Sequence, residues 1–300
     1  MKAVIATGCG SLEIQEVAIP KIQKQWILAK VYAFSLGSIE RAIQRCKILV
    51  PYGRIIGSEG VIKVFEVGIE VEHDIRGRLC IINPLCKEKL IGIDIDGVAA
   101  EYVAVPKQCL EVLPKEYETT EYLEKLSILK TVTLGSFVAK ESQGQSLLIV
   151  GSGFSAYTAA YLAREKSTDI AYVSTAPQSR MRELGIRCTS RDLKHENFDI
   201  IYISTFDREL IYRALRVIKN DGKLILHPAV PYSTEFKIPL RDLKIIIAKY
   251  GNVSEGLNVL DKIYSKLKRD IHLSSSFEEA LYSRALVSIM ILKPRDCRKS

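Results

Sequence analysis

The chain has no Cys-x-x-Cys pair, one tryptophan, three methionines and four histidines, and no apolar run near the length of a membrane span. Each scarcity removes a class of protein. Seven cysteines without paired spacing, an odd number, argue against a disulfide framework and against a cysteine-rich zinc site. They read instead as small core residues. A spanning helix needs ~20 apolar residues in succession, so no membrane partner is expected. Met1-Lys2-Ala3-Val4-Ile5-Ala6 starts a strand and lacks the layout of an export leader, which points to the cytoplasm. The net charge of +8 is spread along the chain, with no basic helix interleaved with aromatics. It therefore reads as solvated surface rather than a nucleic-acid footprint. The basic tail 293–300 reads as a frayed end. Abundant isoleucine and charge with little Gln, Asn and Met hint at a thermophile.

What is present is a globular composition: 47% apolar and 26% charged residues over 300 positions, enough for one large domain or two ordinary ones. The first ~115 residues alternate like short strands punctuated by Gly and Pro, as in Ile27–Ala33, Gly60–Gly68, Leu79–Ile82 and Glu101–Pro106. From Glu118 to Lys140 the period is helical. Strand and helix patterns then alternate: strands at 146–150, 170–174, 199–203, 223–227 and about 245–247, helices at 155–165, 178–184, 207–218 and 254–267. Such alternation predicts a parallel sheet with helices on both faces. A short helix at 276–280 and a strand within 285–292 close the chain.

The densest signal is Ser146-Leu-Leu-Ile-Val-Gly151-Ser-Gly153-Phe154-Ser155-Ala156. A buried-strand pattern meets a G-x-G-x-x-A turn and a helix-forming run, the context a dinucleotide fingerprint requires. Gly151 permits the tight turn, Gly153 lets backbone approach a pyrophosphate, and Ala156 keeps helix near strand. The helix start, with Phe154 and Ser155, offers free N–H groups to phosphate. The alternative is a purely structural βα turn.

The β-rich front, the mid-chain fingerprint and the closing Phe277-Glu-Glu-Ala segment together resemble the medium-chain dehydrogenase/reductase family, the zinc alcohol dehydrogenases and their zinc-free relatives. The matching pieces include Ala33–Glu40, Ile56–Val61, Gly68, Arg78–Leu85, Gly97–Val103 and Asp221–Leu226. The resemblance implies an α/β fold of two domains with a cleft between them. One is a discontinuous GroES-like β-rich domain (1–129 and 251–300). The other is a Rossmann doubly wound domain (130–250). It also implies a homodimer or homotetramer built on the edge strand after His227.

The departures from the family pattern are specific. Leu36-Gly37-Ser38 stands where the zinc form has Cys-Gly-Ser, Gly57-Ser58-Glu59 where it has Gly-His-Glu, and the third ligand falls at about Ser127. None of Leu36, Ser58 and Ser127 is a zinc ligand. Of the family's four-cysteine lobe only Cys86 remains. The resemblance therefore implies a zinc-independent NAD(P)-dependent oxidoreductase passing hydride between nicotinamide and a small carbonyl, enone or quinone, with no zinc bound. The alternative is a catalytically degenerate relative acting as a nucleotide-binding or scaffold protein.

Candidate catalytic residues are Ser38, at the relay-hydroxyl position; Glu59, beside the lost ligand; Tyr52, in a turn at the expected cleft edge; and His227, ending a parallel strand. Each has a plain structural alternative: a backbone-capping serine, a salt-bridged glutamate, a turn tyrosine, a satisfied histidine. Candidate cofactor contacts are Arg41, at the distal relay position, and Thr131, matched to a threonine under the nicotinamide. The fingerprint residues Gly151, Gly153, Phe154, Ser155 and Ala156 complete that set, with Ser174, Thr175 and Arg180. No carboxylate ends the second strand, so NADP is expected, with NAD as the alternative.

Overall fold

The structure, a computed structural model of the chain, describes residues 1–117, 122–193, 197–233 and 242–292. The expected frayed tail 293–300, Cys297 and the start of the helical stretch at 118–121 lie outside them. No helix among the described residues is long and apolar enough to cross a membrane.

The chain divides into two compact units. One comprises 1–44, 50–129 and 267–300; the other comprises 45–49 and 130–266. The expected boundary at 250 needs a correction. Helix Val253–Leu267 falls almost entirely in the second unit. The tie is local hydrogen bonding: Gly251 donates its N–H to Thr133 Oγ1 (3.0 Å) and accepts from the buried Lys130 Nζ (2.8 Å).

The second unit is built on six parallel strands. In space they run Arg187–Cys188, Asp169–Val173, Ser146–Gly151, Phe198–Ser204, Ile218–Leu226, Lys244–Ile247. Numbered by sequence, that is 3-2-1-4-5-6, the doubly wound order whose switch point lies between the first and fourth strands. Runs such as Leu147–Val150 and Ile200–Ile203 are fully buried because both faces of the sheet are covered. Helix Arg208–Leu215 starts where Asp207 accepts a hydrogen bond from the Leu210 N–H, 2.8 Å.

The first unit carries a seven-stranded, mostly antiparallel sheet. Its longest strand, Trp26–Leu36, pairs with Glu59–Val67, with Tyr102–Pro106 and with Val287–Ile291. The chain's last described strand thus returns to the β-rich unit and makes it discontinuous. Strand Ile271–Ser274 lies parallel beside it, and a hairpin of Lys2–Gly8 with Ser11–Glu16 stands apart. Helix Phe277–Tyr282 is capped by Ser276, whose Oγ accepts from the Glu279 N–H at 3.1 Å.

The cysteine expectation is overturned. Cys86 and Cys109 form a disulfide across 23 residues, Cα atoms 5.2 Å apart, and Cys9 and Cys46 are also disulfide-bonded. Cys80 and Cys188 are not disulfide-bonded. Pairing depends on Cα distance in the folded sheet, which spacing along the chain does not report.

Candidate functional site

The fingerprint turn joins strand Ser146–Gly151 to helix Phe154–Ala163, at the switch point. Gly151 sits opposite Ser204, the end of the fourth strand. Its φ is +143°, and a Cβ there would stand 2.2 Å from the Ser204 carbonyl oxygen. Only glycine fits so close a backbone approach. Gly153 is the extended N-cap (φ −79°, ψ 167°) and has no side chain to cap the helix. The first helical N–H groups are thereby left to an outside acceptor. Phe154, Ser155 and Ala156 are buried. Ser155 and Ser204 share a hydrogen bond between their hydroxyls, 2.7 Å, tying the helix start to the neighbouring strand end. These features fit a pyrophosphate: glycine backbone, an uncapped helix end and small side chains at a switch point.

The second strand ends at Val173, and Ser174 and Thr175 follow without a carboxylate. Ser174 Oγ is turned inward and accepts the Ala176 N–H at 2.9 Å. Arg191, which the sequence reading did not single out, donates to the Ser174 carbonyl (3.3 Å) and the Thr175 carbonyl (2.6 Å). Arg180 is instead held by Glu183 (3.1 Å) and by the Lys266 carbonyl. The arginine on this loop is therefore Arg191. It comes from a segment sixteen residues beyond Thr175 that has no motif of its own.

His227 directly follows the fifth strand, buried, with Nδ1 accepting the Ala229 N–H at 3.1 Å. Burial pulls its pKa down to about 4, so the ring is neutral at pH 7. Thr131 is half-buried in helix Leu129–Glu141. The buried threonine nearby is Thr133, which donates to the Lys130 carbonyl (2.7 Å) and accepts from Gly251.

In the β-rich unit, Ser38 opens helix Ser38–Gln44 and is half-buried. Tyr52 is 81% exposed in the turn Pro51–Arg54. Arg41 donates to the Ala285 carbonyl. Glu59 is 3% exposed. Beside it in sequence, Ser58 Oγ donates to Glu40 at 3.5 Å. Glu40 is the residue the sequence reading missed. It is buried, and its other oxygen accepts the Gly37 N–H at 2.7 Å. Burial pushes the Glu40 carboxyl up from the ordinary carboxylate value, against the lowering pull of the Gly37 amide. The Gly37-Ser-Ile-Glu40 spacing of a helix-capping glutamate was the available signal.

At the positions that the resemblance matches to zinc ligands, the side chains present are not zinc donors. Leu36 is a buried apolar side chain, Ser58 is turned to Glu40, and Ser127 Oγ donates to the Glu124 carbonyl at 2.8 Å. Among the described residues no three His, Cys, Asp or Glu side chains gather as a metal-holding group. The residues present do not fit the metal.

No protein-family profile matches the chain. A 2-methylene-furan-3-one reductase of Solanum lycopersicum is 26% identical over 243 residues, 75% of this chain and 62% of that protein. An L-threonine 3-dehydrogenase of Pyrococcus horikoshii is 30% identical over 182 residues, 51% of this chain and 50% of that protein. The chain thus spans about half to just under two thirds of the curated relatives it matches. Among solved structures, the alcohol dehydrogenase TADH of Thermus sp. ATN1 superposes with a TM-score of 0.75 at 19% identity, covering 98% of this chain and 100% of that one. An acetophenone reductase of Geotrichum candidum in complex with NAD gives 0.74 at 17%, covering 97% of each. These structures share the two-domain fold. The chain thus has the fold of these dehydrogenases and reductases over nearly its whole length, with sequence likeness to the curated relatives over half to three quarters of it.

Proposed function

We propose that the chain is a zinc-independent oxidoreductase using a nicotinamide dinucleotide, preferentially NADP(H), on a small carbonyl, enone or quinone. The observation that carries this is the glycine fingerprint at the switch point, where Gly151 meets Ser204 too closely for any side chain. The likeness to an enone-type reductase supports the substrate class.

When bound, the dinucleotide supplies the hydride. The chain's own part begins with binding. The amides after Gly153 receive the pyrophosphate, with Ser155 packed against Ser204 to hold the helix end in place. Ser174, Thr175 and Arg191 favour a ribose 2′-phosphate, since no carboxylate stands there to repel it. Glu40, its carboxyl pushed up by burial, is suited to hold a proton and to orient the Ser58 hydroxyl. Glu59 and Ser38 flank that pair in the sequence, whereas neutral His227 and exposed Tyr52 serve structure. Fluorescence titration of NADPH and NADH at one salt concentration tests the reading. NADPH should bind at least about tenfold tighter, and Arg191→Ala should remove that margin more than Arg180→Ala does. Tighter NADH binding would reverse the preference.

One observation favours the second reading, a catalytically degenerate nucleotide-binding protein. Arg41 and His227 are each engaged by backbone groups. Tight dinucleotide binding without turnover of any quinone, enone or aldehyde would select it.

The homodimer is also proposed. Lys244–Ile247 is the edge of the described parallel sheet, and it exposes Ile245 and Ile247 (44% and 38%). Light scattering should show a dimer that Ile245→Lys with Ile247→Lys turns into a monomer.

A further inference from the structure

The β-rich unit contains a pocket of about 670 Å³ that no catalytic or dinucleotide residue named above lines. Its size is that of a small-molecule site, for which roughly 300–1,000 Å³ is usual. The floor follows from strand geometry. Tyr102, Ala104 and Pro106 project from one face of strand Tyr102–Pro106, and Trp26 lies opposite Pro106 on the neighbouring strand. Small Ala104 between larger neighbours leaves a trough with aromatic ends.

One wall is the hairpin Leu85–Cys86 with Lys89–Leu90. Its turn residues Lys87 and Glu88 are both left-handed, φ 45° and 66°, without glycine. The Cys86–Cys109 disulfide ties this hairpin to the segment just after Tyr102–Pro106. Wall and floor are therefore joined covalently as well as by packing.

The charges are unbalanced. Arg54 is matched by Asp96 at 2.9 Å, and its Nε is buried without an acceptor among the described residues. Asp94 is occupied by the Leu90 N–H at 2.7 Å. Lys21, Lys87 and Lys89 line the pocket, are exposed, and make no ion pair among the described residues. A trough with aromatic ends and a rim of unmatched ammonium groups recognises a ring and an anion together.

We propose that this pocket binds an aryl carboxylate: an aromatic body lying on the Trp26–Ala104–Tyr102 floor with its carboxylate among Lys21, Lys87 and Lys89. The site is independent of the dinucleotide reading, and its test does not require activity. Trp26 is the chain's only tryptophan, so its emission reports occupancy directly.

The full chain is titrated calorimetrically and by Trp26 emission with 3-phenylpropanoate, with the neutral 3-phenylpropanamide, and with inorganic phosphate. The expected result is one saturable site per chain, with heat and Trp26 emission following the same curve. The amide and phosphate should each bind at least about tenfold more weakly. The variant Lys21→Gln/Lys87→Gln/Lys89→Gln should lose at least about tenfold in affinity for the carboxylate while melting at the same temperature. Absence of saturable binding at millimolar concentration overturns the proposal. So does a smaller loss with the amide or the triple variant, heat saturation without a change in Trp26 emission, or phosphate binding as well as the carboxylate.

Discussion

The parallel-sheet unit and the β-rich unit are assembled from different kinds of information. In the first, strands alternate with helices and each element carries its own periodicity. Several polar groups buried there are satisfied by backbone or by a neighbouring hydroxyl: Ser155 with Ser204, His227 with Ala229, Lys130 with Gly251. In the second, strand Trp26–Leu36 takes partners from three distant parts of the chain, the last of them Val287–Ile291. That unit also buries the carboxyls of Glu40 and Glu59 and holds the Cys86–Cys109 disulfide. The comparison teaches where chemistry can be read locally. A helix end and a glycine turn are local devices; a proton-holding carboxyl or a cross-link exists only once remote strands meet.

The largest expected effect falls on the local device. Gly151→Val places a Cβ against the Ser204 carbonyl at a backbone angle side chains rarely adopt. It should destabilise the parallel-sheet unit by about 3 kcal/mol or more and abolish dinucleotide binding. A thermal midpoint within a few degrees of the parent would break the claim that this contact is rigid.

The counterpart in the β-rich unit is Cys86→Ser with Cys109→Ser. Releasing the hairpin should cost about 2–4 kcal/mol in denaturant unfolding of the oxidised protein. The parent treated with reductant should move the same way. An unchanged midpoint would show that packing alone fixes the hairpin.

His227 sharpens the comparison through pH. Its folded pKa is depressed from 6.5 to about 4, so its contribution is present above pH 6.5 and is lost as the pH falls toward 4. The loss is on the order of 3 kcal/mol. Stability of His227→Gln relative to the parent, followed from pH 7 to pH 4, should rise by that amount. A flat difference would mean that the imidazole is hydrated.

Glu40 shows the opposite sign and the smallest effect. Burial raises its carboxyl pKa, so stability is full below the ordinary carboxylate value and is lost as the pH climbs through the raised one. Glu40→Gln should match the parent at low pH and exceed it at neutral pH. If Glu40 holds the reaction's proton, the same variant lowers turnover and flattens its pH profile, with dinucleotide affinity unchanged.

Most of the parallel-sheet unit was legible before any coordinates. Strands expected at 146–150 and 170–174 occupy Ser146–Gly151 and Asp169–Val173, and the helix expected at 254–267 occupies Val253–Leu267. The short edge strand Arg187–Cys188 carried no pattern, because two residues are too few to show a period. In the β-rich unit the strands were visible but their partners were not, nor was the strand Ile271–Ser274. Arg191 lay beyond reach because what matters is the loop it donates to, and nothing in its neighbours names that loop.

By itself the sequence determined the alternation of strands and helices, the glycine turn and the absence of a carboxylate directly after Val173, since each is a property of residues adjacent along the chain. Only the tertiary structure decided that Gly151 faces Ser204, that Ser58 turns to a buried Glu40, that Cys86 joins Cys109, and that Trp26, Tyr102 and three lysines share one pocket. The physical reason is range. Dihedral preference and hydrophobic period act over a few residues, whereas desolvation, cross-linking and charge balance depend on which distant segments the fold brings within a few ångströms.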